Sequence, residues 1–228
     1  MSSGKLEQFG TPHEQGLTQP TAGPGPPPTV FVVDDDAAVL KGLSRLLRSA
    51  GLAVVTFSSP REFLDSHDPN APGCLVLDVA MPGLNGLELQ QSLLARGQEP
   101  AIIFLTGHGD IPMSVKAIKH GAVDFLTKPV NDDDLLTAVR DAIEKDRLQR
   151  QVQAEVAEIH QRLATLTPRE REVLQHVISG QLNKQIAADL GTVEKTVKVH
   201  RARVMQKMKV QSVAELVRLT ERAGFAGK

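Results

Sequence analysis

The chain has 228 residues, 41% of them apolar, with 26 Lys and Arg against 27 Asp and Glu, which suits one large domain or two ordinary ones with folded cores. No run of about 18 apolar residues is present to span a membrane, no basic start followed by an apolar stretch marks a secretory signal, and a single cysteine rules out an internal disulfide framework. The near-neutral total hides an asymmetry, because residues 29–146 carry 10 Lys and Arg against 17 Asp and Glu while residues 165–228 carry 12 against 6, so two domains with different partners are expected.

Residues 1–28 end in Pro20-Thr21-Ala22-Gly23-Pro24-Gly25-Pro26-Pro27-Pro28 and have no periodic apolar positions. Too little surface is available there to offset the entropy of ordering, so a disordered Gly/Pro-rich tail is expected. From residue 29, strands at 30–33, 53–57, 74–78, 101–105 and 123–126 alternate with helical patterns at 36–50, 60–67, 86–96, 111–120 and from 132. The first helix shows the pattern best, with Val39, Leu43, Leu46, Leu47 and Ala50 in one stripe and Gly51 where a helix C-terminus favours it. Five strands alternating with five helices predict an α/β domain with a doubly wound five-stranded parallel sheet, whose ligands bind beyond the carboxyl ends of the strands. Cys74 falls within an apolar strand, so a core position in a reducing cytoplasm is expected rather than a redox role. The histidines are scattered, without zinc-ligand spacing.

The polar residues at those strand ends carry chemistry. Asp34 and Asp35 follow Val30-Phe31-Val32-Val33, Asp78 follows Leu75-Val76-Leu77, Thr106 follows Ile102-Ile103-Phe104-Leu105, and Lys128 follows the last strand. Carboxylates in that number suit Mg²⁺ or Mn²⁺, which prefer oxygen donors. Asp78, alone at the end of the central run, is the candidate nucleophile for an acyl phosphate. Thr106 can donate a hydrogen bond to a phosphoryl oxygen, and Lys128 can balance its charge.

Residues 29–146 resemble the receiver domain of two-component response regulators. The resemblance rests on Val33-Asp34-Asp35-Asp36, Leu77-Asp78-Val79-Ala80-Met81-Pro82-Gly83-Leu84-Asn85-Gly86, Leu105-Thr106-Gly107-His108-Gly109-Asp110 and Phe125-Leu126-Thr127-Lys128-Pro129. It implies that Asp78 accepts a phosphoryl group from a sensor histidine kinase, with Lys128 and Thr106 assisting. It also implies a metal site of Asp34, Asp35, Asp78 and the backbone carbonyl of Ala80, in which Asp34 acts mostly through water. Thr106 and Phe125 become the switch pair, and the Lys128-Pro129 peptide is expected to be cis. Two departures stand out: Phe125 lacks the hydroxyl of the Tyr often found there, and Ala80 is small at a position that helps control water access. Asp34-x-Asp36 also imitates an aspartate-based metal phosphatase, but no insertion is long enough to supply a cap over a substrate.

Residues 147–164 form a helical linker in this reading. Leu136, Val139 and Ile143 make one stripe, whereas Val152, Ile159 and Leu166 recur every seven residues with Val156 and Leu163 between them. The phase slips near Lys145-Leu148, so either one helix changes partners or two helices meet, with weak coiled-coil pairing one use of the second stripe.

The basic segment 165–228 opens with Thr167, Pro168 and Glu170, a capping box with proline at the first helical position. Ile186, Ala187 and Leu190, then Gly191, then Val193 and Val197 have the spacing of a helix-turn-helix. The second helix, roughly 194–208, offers Val197, Val204 and Met208 to a core and Lys195, Thr196, Lys198, His200, Arg201 and Arg203 to DNA. Residues 165–222 resemble the LuxR/FixJ/NarL-type four-helix output domain through Asn183-Lys184-Gln185-Ile186-Ala187 and Lys195-Thr196-Val197-Lys198-Val199-His200-Arg201. That match implies that Lys198, Val199 and Ala202 face bases, with Lys195, Thr196, His200, Arg201 and Arg203 nearer the backbone. Val193 stands where the family often has a serine N-cap, leaving Thr192 as an alternative cap. The last helix, with Val213, Leu216, Val217 and Thr220, would pair two such domains. Together the resemblances imply a cytoplasmic transcription regulator, not a dedicated enzyme, whose partners are a sensor histidine kinase, promoter DNA, a second copy on phosphorylation, and RNA polymerase. A regulator that binds DNA independently of phosphate is the alternative.

Overall fold

The computed structural model describes residues 26–107 and 117–225. The expected disordered tail lies outside them except for residues 26–28, and of the helix expected at 111–120 only residues 117–119, which are helical, and His120 fall within them.

Five parallel strands form one sheet: β1 (Thr29–Val33), β2 (Ala53–Phe57), β3 (Gly73–Asp78), β4 (Ala101–Thr106) and β5 (Asp124–Thr127), in the order β2-β1-β3-β4-β5. Every residue of β3 and β4 is buried, as continuous apolar runs require of strands covered on both faces. Side chains alternate between two cores. Val30, Val32, Val76 and Ile103 face α1 (Ala37–Ser49) and the start of α4 (Asp132–Ala164), where Leu43, Leu47, Leu135 and Val139 cover them. Phe31, Val33, Leu75 and Leu77 face α2 (Pro60–Ser66) and α3 (Gly86–Ala95), packing with Phe63, Leu89 and Leu93. The α1 stripe is narrower than its pattern promised: Leu43 and Leu47 are buried, Val39 and Leu46 half-buried and Ala50 exposed.

α4 is a single helix of 33 residues, so the phase slip marks a change of partner and not a break. Its first turns bury Leu135, Ala138, Val139 and Ala142 against the sheet, one residue earlier than the predicted stripe, with Leu136 and Ile143 half-buried. Its last turns bury Ile159 and Leu163 in a third core with Leu166, Val173, Val197, Val204 and Met208. The coiled-coil stripe is thereby consumed, leaving Val152 59% exposed while Ile159 and Leu166 are 5% and 6% exposed inside that core.

The C-terminal core is completed by α5 (Pro168–Ile178), α6 (Asn183–Asp189), α7 (Glu194–Met208) and α8 (Val213–Arg222). Thr167 and Glu170 make the expected capping box at α5. The N-cap of α7 is Val193 and no side chain caps it, so Thr192 does not supply the alternative cap. The reading of α8 as a pairing helix is corrected for two of its residues. Leu216 and Thr220 are 0% and 1% exposed within the domain's own core, while Val213 and Val217 remain half-buried.

Candidate functional site

The sheet order sets the site. β3 lies between β1 and β4, and because all strands run parallel their carboxyl ends share one edge. Asp34 directly follows β1, Asp78 and Thr106 are the last residues of β3 and β4, and Lys128 follows β5. Asp34, Asp78 and Thr106 are 1%, 5% and 4% exposed, whereas Asp35 is exposed. The chain turns into α1 at once because Asp36 caps it, accepting from Ala38 N–H at 2.7 Å and Val39 N–H at 3.4 Å, while Asp34 Oδ1 accepts from Asp36 N–H at 2.9 Å. These three side-chain to backbone bonds hold Asp34 and Asp35 against the sheet edge. Asp36 was missed as a cap, although an Asp before an amphipathic run is the usual signal.

Carboxylate oxygens of Asp34, Asp35 and Asp78 lie within 4.8 Å of one another. Lys128 Nζ reaches between two of them, 2.6 Å from Asp34 Oδ2 and 3.2 Å from Asp78 Oδ1. Burial pushes the Asp78 carboxyl up and Asp34 adds to this, outweighing Lys128 and the Ala80 N–H, which pull it down. Burial pulls the Lys128 ammonium down, but the Asp34 hydrogen bond and charge, with those of Asp78, leave it above the usual lysine range. The sequence placed Lys128 near a phosphate but did not foresee that it spans Asp34 and Asp78 directly. This set of hard carboxylate oxygen donors fits Mg²⁺ or Mn²⁺. Both Asp34 oxygens already accept hydrogen bonds, which suits contact through water better than direct ligation.

Thr106 and Phe125, the expected switch pair, occupy neighbouring strands. Thr106 pairs in register with Thr127, and half-buried Phe125 lies against Phe104, ring centroids 6.1 Å apart and planes 42° apart. The Lys128-Pro129 peptide is cis, and Lys128 N–H donates to Thr106 O at 2.6 Å, tying the lysine to the strand that carries Thr106.

A second surface lies on α7. Val197, Val204 and Met208 are fully buried, so Lys195, Lys198, Val199, Ala202 and Arg203 are exposed and Thr196, His200 and Arg201 half-buried. Arg201 Nη1 donates to Asn183 Oδ1 of α6 at 3.1 Å, and Lys198 lies 3.1 Å from Glu194 one turn earlier. Asn183 thus orients one of the basic side chains, a role its sequence position did not disclose. Cys74 stays apart from both surfaces: it is buried, and burial pushes its thiol up to about 12, so thiolate chemistry is shut off near neutral pH.

Comparison with known proteins bears on both surfaces. Residues 30–140 match the model described as "Response regulator receiver domain", and residues 164–220 match "Bacterial regulatory proteins, luxR family". Nodulation protein W of Bradyrhizobium diazoefficiens is 50% identical over 197 residues, 86% of this chain and 87% of that one. Among solved structures, the response regulator StyR superposes with a TM-score of 0.77 at 49% identity, over 86% of this chain and 100% of that one. Full-length FixJ from B. japonicum gives 0.53 at 44% identity, over 86% and 97%.

Proposed function

Because the chain belongs to the response-regulator family of the FixJ/NarL type, in which a receiver precedes a LuxR-type DNA-binding domain, we propose that Asp78 is its phosphoacceptor and that phosphate there governs dimerisation and promoter binding. The protein is a two-component response regulator and transcription factor; the residue roles are our reading of the site. The observation that carries it is the convergence of Asp34, Asp35, Asp78, Thr106 and Lys128 from four strands on one edge.

The donor is the phosphohistidine of a sensor kinase. Asp78 attacks phosphorus with a carboxylate oxygen, the phosphorus–nitrogen bond breaks, and the nitrogen pair returns to the kinase imidazole. Lys128, already within 3.2 Å of Asp78, is placed to balance charge on the transferred group, and Thr106 to donate its hydroxyl hydrogen to a phosphoryl oxygen. When bound by Asp34, Asp35, Asp78 and the Ala80 carbonyl, Mg²⁺ or Mn²⁺ supplies charge neutralisation for the phosphoryl oxygens. A small residue at position 80 leaves room for water to approach the acyl phosphate, so self-catalysed dephosphorylation accompanies acceptance without making the protein a dedicated enzyme. Thr106 moving toward the phosphoryl group draws Phe125 with it and changes the face used for self-association. Two receivers then hold two DNA-binding domains at high local concentration, converting a weak half-site contact into stable operator binding and contact with RNA polymerase.

The test is Asp78→Asn. Acyl-phosphate formation from a small phosphodonor, read by intact mass, is expected to vanish while helical content by circular dichroism stays intact. Phosphodonor-induced dimerisation that survives in this variant overturns the reading.

A further inference from the structure

The connector helix is fastened to the receiver well beyond its last buried apolar turn. Asp146, 8% exposed, accepts from the Gly73 N–H at 2.9 Å through Oδ2, at the first residue of the strand that ends in Asp78. Gly73 is at φ 141°, and a Cβ there would lie 1.8 Å from Thr29 O, so the backbone runs close under the neighbouring strand. Arg150, one turn on, donates from Nε to both Asp146 oxygens at 2.9 and 2.8 Å, from Nη1 to Asn70 O at 2.8 Å and from Nη2 to Ala71 O at 2.7 Å. Both terminal nitrogens of the guanidinium thus tie the helix to the loop that enters β3, while Nε holds Asp146 of the same helix in place. Lys145 to Gly121 O at 2.9 Å and Gln149 to Glu99 at 3.3 Å add ties to the loops before β5 and β4.

Apolar packing does not do this work. A cavity of about 220 Å³ lies at this level, lined by Phe31, Phe63, Cys74 and Leu93 together with Asp146 and Arg150 themselves. Polar bonds therefore set the helix direction here. Farther along, the side-chain partners belong to the other domain: Glu155 lies 3.6 Å from Arg222, and Arg162 donates to Met208 O at 3.2 Å at the end of α7. Between the last receiver tie at Arg150 and the first tie to the other domain at Glu155 lie only residues 151–154, about 6 Å of helix at the usual rise.

We propose that Asp146 and Arg150 are positioning residues: a clamp that fixes the direction in which the connector leaves the receiver, and with it the placement of the DNA-binding domain. The clamp grips the end of β3 opposite Asp78, so the phosphoacceptor strand and the connector are joined by one hydrogen bond at Gly73. Its use in signalling rests on the phosphate-governed reading above, whereas its mechanical role does not. StyR and FixJ, superposed over the same share of this chain with TM-scores of 0.77 and 0.53, differ in how closely they match it as whole molecules.

Spin labels on cysteines introduced at exposed Arg61 and Arg218 of the full chain read the interdomain distance, since buried Cys74 resists labelling. Arg150→Gln and Asp146→Asn should broaden the distance distribution. Arg147→Gln, which breaks only the exposed pair with Glu144 on the same helix, should leave it unchanged. In Arg150→Gln, acyl-phosphate formation should persist, while the gain in DNA affinity from beryllofluoride should fall about fivefold. Equal distributions in wild type and Arg150→Gln overturn the clamp. A wild-type protein whose DNA affinity ignores beryllofluoride overturns the phosphate-governed reading instead, and the distances still decide the clamp.

Discussion

Lys128 Nζ donates to Asp34 Oδ2 at 2.6 Å, joining a residue after β5 to one after β1 across the two strands between them. The lysine acts as the site's internal cation, offsetting the crowding of Asp34, Asp35 and Asp78. Lys128→Ala should destabilise the metal-free receiver by roughly 1–3 kcal/mol, the usual cost of stripping a charged partner from a buried group. Mg²⁺ should then raise its melting temperature more than it raises that of the wild type, because relieving the same repulsion gives metal binding a larger linked stabilisation. Calorimetry with EDTA and with Mg²⁺ checks this, and an unchanged magnesium increment would show that Lys128 does not compete for that role.

Gly86 opens α3 directly behind Asp78, the proposed phosphoacceptor, and a Cβ on it would sit 2.3 Å from the Asp78 carbonyl oxygen. A clash with backbone cannot be relieved by a rotamer change. Gly86→Ala should therefore push the end of β3 aside, costing roughly 2–4 kcal/mol of stability and slowing acyl-phosphate formation about tenfold through a shift of well under 1 Å at the nucleophile. Denaturant titration and phosphodonor kinetics measure both; full-rate phosphorylation in a destabilised variant would separate packing from positioning.

Why some of this was legible in the sequence and some not follows from the range of each interaction. Strand ends are local, so short apolar runs before Asp34, Asp78 and Thr106 placed those residues on one edge once the topology was inferred. The Thr167–Glu170 box was legible for the same reason. The Lys128 bridge, the Arg201–Asn183 bond and the Arg150 ties to Asn70 and Ala71 join residues 18 to 94 positions apart, and no periodicity encodes them. Val152, Ile159 and Leu166 show the converse: their seven-residue spacing is the same whether a second helix or the chain's own core covers it.

Glu170 gives the DNA-binding domain an acid-sensitive joint. Its side chain is 3% exposed and accepts from Lys207 Nζ of α7 at 2.6 Å and from the Thr167 N–H at 2.9 Å. The Lys207 hydrogen bond, then the Thr167 N–H, hold its carboxyl below the usual carboxylate range. A depressed folded-state value means that the contribution is fully present above the unfolded pKa and is lost as pH falls through the folded one. Glu170→Gln should cost about 1–2 kcal/mol at pH 7, with the difference from wild type closing below pH 4.5. Urea unfolding across that range checks the sign; a gap that persists in acid would assign the loss to packing.

Lys198 projects from α7 with its side chain 64% exposed, and Glu194 is 3.1 Å away. To reach a base edge it must exchange that ion pair for the major groove, so its contribution depends on the base it meets. Arg203, exposed on the same helix, is expected to meet phosphates whatever the sequence. Lys198→Ala should weaken binding to the operator by about 1–3 kcal/mol and to random duplex far less. Arg203→Gln should weaken both alike and lower the salt slope by about one. Fluorescence anisotropy at several salt concentrations distinguishes them. Equal losses on both duplexes for Lys198→Ala would move that lysine from base reading to backbone contact.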